Sequence, residues 1–163
     1  QLEFSTFGDL LSKFRDALSM AKNDEAPYSA AVMTAAVLDW IPETLHTDKR
    51  KAVGDEWIIR LVRTPKLLPL IKELSPTTLS VGFKLEANVD VETLLDRARR
   101  TMETGKADII VANDLRCVTC DRHTAYLLRR DASSSAQTSV EGPLEGRERI
   151  AAALCDAVFE IIG

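Results

Sequence analysis

Long apolar runs are missing from this chain. No stretch approaches the roughly 20 residues that a membrane-spanning helix needs, so no membrane partner is expected. Positive charge is not in excess either: 21 Lys and Arg stand against 25 Asp and Glu, a net charge of −4. That balance argues against a nucleic-acid partner, although local basic clusters could still hold a phosphorylated small molecule. Cysteine is scarce and odd in number, three in all, which favours reduced thiols and a cytoplasmic setting over a disulfide framework. The opening residues do not read as a signal peptide. There is no glycine-rich phosphate loop, no G-x-G-x-x-G turn and no Ser-His-Asp set, so neither a dinucleotide binder nor a serine hydrolase is favoured.

What is present reads as one domain, 1–163, able to bury roughly two-thirds of its unfolded surface. Thr6 and Asp9 fit a helix-capping box, followed by an apolar stripe at 7, 10, 11, 14, 17, 18 and 21. The stretch 28–42, YSAAVMTAAVLDWIP, carries no charge before Asp39 and predicts a central strand buried on both faces. Residues 43–56 form a polar flap with three adjacent cations, Lys49, Arg50 and Lys51. Residues 57–63 predict a strand, after which Thr64 and Pro65 supply a cap and first-turn proline for a helix to Leu74. Pro69 inside that segment predicts a helix that is short or starts late.

Further strands are expected at 78–85, 107–115 and 124–130, with helices at 91–103 and 147–162. Residues 131–146 are Ser-rich and punctuated by Gly and Pro, and predict a loop with one short strand near 138–140. Strands alternating with helices predict a mainly parallel sheet covered by helices. Three strands end on small or polar residues, near 37, 83 and 112. Parallel strands share a carboxyl edge, so those ends should converge where α/β ligands sit. There Gly82 suits close backbone approach, Phe83 offers a ring for a base, and Asn113 offers an amide for its polar edge, though each also suits core or turn. Cys117-Val-Thr-Cys120 with His123 lacks a well-spaced fourth ligand and reads as a loop, so no metal site is expected.

Read together, TAAVLDW, the DKRK flap, RLVRTPKLL, VGFKLE and ADIIVAND resemble phosphopantothenoylcysteine synthetases, the ligases of coenzyme A synthesis. The same domain forms the carboxyl-terminal half of the bacterial Dfp-type bifunctional flavoprotein. The similarity runs from about residue 1 to about 115 and continues more loosely to the last helix. It implies a Rossmann-like three-layer α/β/α sandwich that works as a homodimer with a flap over each site. It also implies a reaction joining 4′-phosphopantothenate to L-cysteine. ATP or CTP, with Mg²⁺, would activate the carboxylate as an acyl-nucleotide and release pyrophosphate.

Carried over by position, Ala35 and Ala36 match an alanine pair lying against substrate and acyl-nucleotide, and Asp39 matches the acid on the nucleotide side. Lys49 matches the flap lysine that steadies charge during activation, with Lys51 as the alternative. Thr64, Pro65 and Lys66 fall in the segment whose helix start faces the triphosphate. Phe83 matches the base-stacking ring and Asn113 the base-reading amide. Two lysines of the bacterial helix are replaced by Thr101 and Gly105, whereas Arg100 matches a basic residue of the eukaryotic form. With FKLE, this favours a eukaryotic-type enzyme and ATP. The family's Gly-rich turn and Asn/Ser-Ser-Gly segment have no counterpart, and Gln1–Phe4 resemble a later strand entered midway. The expectation is therefore the carboxyl-terminal part of the ligase, weakly active or inactive alone. The alternative is a non-catalytic nucleotide-binding or regulatory subunit of the same fold.

Overall fold

The computed structural model describes residues 3–19, 26, 28–44, 56–119, 122–131 and 137–163. Their elements run α1 (Phe7–Ser19), β1 (Ala30–Val32), β2 (Trp40–Pro42), β3 (Leu61–Arg63), α2 (Leu67–Leu74), β4 (Leu79–Glu86), α3 (Val91–Gly105), β5 (Ile109–Asp114), β6 (Thr124–Arg130), β7 (Thr138–Glu145) and α4 (Arg147–Ile162). The chain divides into two compact units, one of Gln1–Thr34 with Leu67–Gly163 and one of Ala35–Lys66.

In the larger unit five strands form one sheet in the order β1-β4-β5-β6-β7. The β1–β4 and β4–β5 pairs are parallel, and the β5–β6 and β6–β7 pairs are antiparallel. Two reversals return β7 to the direction of β5, so four of the five strands point the same way. The carboxyl edge therefore gathers the ends of β1, β4, β5 and β7 with the start of β6.

Helices cover both faces of this sheet. On one face Leu79, Val81, Ile109, Val111, Leu127 and Leu144 pack under Ile150 and Ala157 of α4. On the other, Ile110, Ala112 and Leu128 pack under Leu94, Ala98 and Met102 of α3. Those three α3 residues repeat every four positions, as a helix laid on a sheet requires. Asp90 caps α3 by accepting from the Thr93 amide at 2.7 Å, and Lys106 ends it in the left-handed region at φ 52°. At the start of α1 the expected capping box is closed in both directions: the Asp9 amide donates to Thr6 Oγ1, and the Thr6 amide donates to Asp9 Oδ2.

Gly82 faces α2 rather than a ligand. A Cβ there would come within 2.8 Å of Ile110 Cδ1 and Leu68 Cδ2, so the missing side chain lets α2 sit close against β4. Gly105 admits the same leucine, with a virtual Cβ 2.7 Å from Leu68 Cδ2. Pro69 falls in the first turn of α2, where no backbone donor is needed, and the helix has only 8 residues.

Three sequence expectations need correction. The 28–42 stretch is not a central strand. In the larger unit its paired part is three residues at an edge of the described sheet, with Val32 49% exposed. The lack of charge suggested burial, but much of that apolar character is alanine, which buries little area. Trp40–Pro42 instead pairs antiparallel with Leu61–Arg63 in the smaller unit. The 57–63 strand likewise shrinks to its last three residues, and Trp57, Ile58 and Ile59 are exposed. Conversely, the short strand near 138–140 extends to Glu145. Gly142 and Pro143 looked like strand breakers, but β7 lies at an edge and a register shift near Ala125 and Leu127 absorbs them.

Candidate nucleotide-binding site

In the smaller unit, antiparallel pairing of β2 with β3 brings Asp39 to Thr64 and Lys66, residues 25 and 27 positions further along the chain. The Thr64 amide donates to the Asp39 carbonyl at 2.9 Å, and Thr64 Oγ1 donates to the Leu38 carbonyl at 2.6 Å. Thr64 thus fastens the turn that carries Asp39 instead of capping α2. Lys66 Nζ donates to Asp39 Oδ1, with both side chains more than half exposed. The Arg63 guanidinium lies over the Trp40 ring at 4.9 Å. Ala35 and Ala36 are exposed and outside regular structure. Lys49 and Lys51 lie outside the described residues.

The larger unit presents an open shelf at the carboxyl half of its sheet. Side chains alternate along β4, so Phe83 and Leu85 share the face of Leu79 and Val81. Asn113 shares it through Ile109 and Val111, and Val32 is paired with Val81. Leu85 is in register with Asn113, and Phe83 with Val111. Over the amino half of this face α4 seals the core. Beyond it Phe83, Leu85 and Val32 are 39%, 53% and 49% exposed. The shelf is apolar, with an aromatic ring and one amide on a rigid sheet, and these are the groups that stack and read a base.

Arg100 does not join this shelf. It lies on the exposed side of α3, in the layer that covers the opposite face. Sequence reasoning also missed a charged cluster beside that helix. Lys84 and Arg97 both pair with Glu86, at 2.8 and 2.5 Å, and the Lys84 ammonium foremost holds the Glu86 carboxyl below its usual range. A lysine, a glutamate and an arginine 11 residues on give no local signal, because only strand alternation and helix packing bring them together.

Asp114 ends β5 with its side chain almost fully buried. It accepts from the Val89 amide at 2.9 Å, and from the Arg116 amide and guanidinium at 2.8 and 3.0 Å. The Arg116 guanidinium is the main reason its carboxyl stays far below the usual range. These bonds fix the chain immediately after Asn113. Next to it, His123 Nε2 lies 3.4 Å from Asn113 Nδ2. No group of three or more His, Cys, Asp or Glu able to hold a metal occurs among the described residues, and Cys120 lies outside them.

Comparison with known proteins decides which fold this is. Residues 13–161 match the family described as the DNA/pantothenate metabolism flavoprotein C-terminal domain. The chain belongs to this family. Among curated relatives is a phosphopantothenate–cysteine ligase of Mus musculus, 30% identical over 166 residues, covering 95% of this chain and 52% of that protein. The coenzyme A biosynthesis bifunctional protein CoaBC of Thermococcus kodakarensis is 31% identical over 131 residues, covering 80% of this chain and 31% of that protein. The chain therefore spans about a third to a half of the length of these relatives. The crystal structure of the DNA/pantothenate metabolism flavoprotein from Streptococcus pneumoniae superposes with a TM-score of 0.76 and 25% identity, over 98% of this chain and 72% of that one. The three-layer α/β/α expectation thus holds, with four strands in one direction and β6 against them.

Proposed function

We propose that this chain is the ligase part of a phosphopantothenoylcysteine synthetase. The observation that carries the reading is the match along 95% of the chain to a protein named phosphopantothenate–cysteine ligase. The bare shelf around Phe83 and Asn113 supports a nucleotide as co-substrate. A carboxylate oxygen of 4′-phosphopantothenate attacks the α-phosphorus of ATP or CTP, pyrophosphate leaves, and an acyl-nucleotide remains. The amine of L-cysteine then attacks the acyl carbon, the nucleoside monophosphate leaves with its bonding electrons, and the amine gives up a proton. Mg²⁺ would accompany the triphosphate, neutralising charge on the departing pyrophosphate.

In this reading the backbone at Ala35 and Ala36 lies against the acyl-nucleotide, their small side chains leaving it accessible. Asp39, Thr64, Pro65 and Lys66 serve the nucleotide: the Lys66 ammonium turns from Asp39 to donate to phosphate oxygens, and the Asp39 carboxylate accepts from ligand hydroxyls. Lys49 from the flap, with Lys51 as the alternative, steadies the charge that builds at the α-phosphate. Phe83 stacks the base and Asn113 reads its edge, with Arg100 assigned to the nucleotide by resemblance alone. The unit of function is a homodimer, and its setting the cytoplasm. No described helix is long and apolar enough to cross a membrane.

The decisive experiment measures pyrophosphate release by the full-length protein with phosphopantothenate and ATP or CTP, with and without cysteine. Release that requires phosphopantothenate establishes acyl-nucleotide formation, and the faster nucleotide settles the base. No release from folded protein with either nucleotide would leave a nucleotide-binding subunit instead.

A further inference from the structure

His123 sits where the sheet's carboxyl edge meets the shelf. Its backbone forms an antiparallel bridge with Val118, and its carbonyl accepts from the Gly146 amide at 2.8 Å, so the residue is held from both sides. Its ring reaches Asn113, 10 residues earlier in the chain, amide nitrogen to Nε2 at 3.4 Å. On the other side His123 helps line a cavity of about 380 Å³ with Arg122, Glu145, Arg147, Glu148 and Arg149. Its Nδ1 is buried and has no hydrogen-bond partner among the described residues.

That orphaned nitrogen decides where the proton sits. A neutral imidazole carries one N–H, and its other nitrogen is an acceptor. A proton on Nδ1 would be a buried donor with nothing among the described residues to receive it, the costlier kind of unsatisfied group. The proton therefore belongs on Nε2, which must then donate to Asn113. The two ends of a side-chain amide have the same shape, so their orientation follows from the bonds they make. A donating Nε2 calls for Oδ1 at that contact, which turns the amide NH₂ outward to the shelf.

We propose that His123 is a positioning residue for nucleotide choice: through Nε2 it fixes Asn113 with its NH₂ towards the base. This rests on the reading of Asn113 as the base contact and deepens it. The amide becomes a donor, so the base edge it accepts must offer an acceptor, such as a ring nitrogen or carbonyl, and not only an exocyclic amine. Without the histidine the amide turns freely and accepts either kind of edge.

Two variants separate this role from a general structural one. His123→Gln can place a donor where Nε2 stands, whereas the shorter side chain of His123→Asn cannot reach Asn113. Both keep a polar side chain. In the full-length protein, kcat/KM is measured with ATP, CTP, GTP and UTP for wild type, the two histidine variants and Asn113→Ala. Wild type and His123→Gln should share the same discrimination between best and worst nucleotide. His123→Asn should lose about five- to tenfold of it, the worth of one hydrogen bond, through nucleotide KM with phosphopantothenate KM unchanged. Asn113→Ala should lose at least as much. If Asn113→Ala alters discrimination while His123→Asn and His123→Gln behave alike, the positioning role is wrong and the base contact stands. If Asn113→Ala leaves discrimination unchanged, the base-contact reading itself fails, and this inference with it.

Discussion

The carboxyl group of Asp114 gathers the Val89 amide, the Arg116 amide and the Arg116 guanidinium at the end of β5. Its pKa lies below the ordinary aspartate value, so its stabilising effect is complete above about pH 4 and is lost as pH falls towards the depressed value. Thermal unfolding followed from pH 7 to pH 2 should show a fall in Tm below about pH 4 that is smaller in Asp114→Asn, whose Tm is already lower at pH 7. Neighbouring Asn113 could be picked out in the sequence because a polar residue closing an apolar run marks a strand end. The role of Asp114 as the anchor beside it could not be read that way. Its partners Val89 and Arg116 lie on either side in the chain, and a carboxylate after a strand looks the same whether buried or solvated. Arg100 shows the opposite limit. Resemblance assigns it to the nucleotide, and its place in the layer opposite the shelf could not be read in the sequence, because the layer to which a helix belongs appears only once packing is known.

At the scale of elements, α3 and α4 clamp the sheet through two separate apolar clusters. Ile110 is fully buried in the α3 cluster. Ile110→Ala should cost about 2–5 kcal/mol, measured by denaturant unfolding, from lost burial plus the cavity left under α3. Residues 147–162 were legible as a helix to the residue, and 91–103 to within two positions, because a repeat of three to four sustained over several turns has few competing explanations. The strands were less legible. Three-residue β1, β2 and β3 are shorter than any periodicity can define, and their partners are chosen by contacts distant in sequence. In β7 the Gly-Pro step hid a continuous edge strand.

At the scale of the molecule, the sheet in one unit holds the predicted ring and amide, while Asp39, Thr64 and Lys66 come together in the other. The proposed chemistry adds the flap lysine. Lys49→Ala should lower kcat for pyrophosphate release by about 10²–10³-fold while leaving nucleotide binding, measured by calorimetry, within about twofold. Unchanged turnover would transfer the role to Lys51, tested by the same substitution there.

The uncovered half of the sheet has a thermal consequence. Val32, Phe83 and Leu85 keep water against carbon in the free protein. A base settling on them would release that water, and the heat of binding would become more favourable as temperature rises. Titration calorimetry of nucleotide binding at several temperatures should give a negative heat-capacity change, reduced in Phe83→Ala and Leu85→Ala. A shelf left bare by its own helix is thus a surface whose hydration registers occupancy.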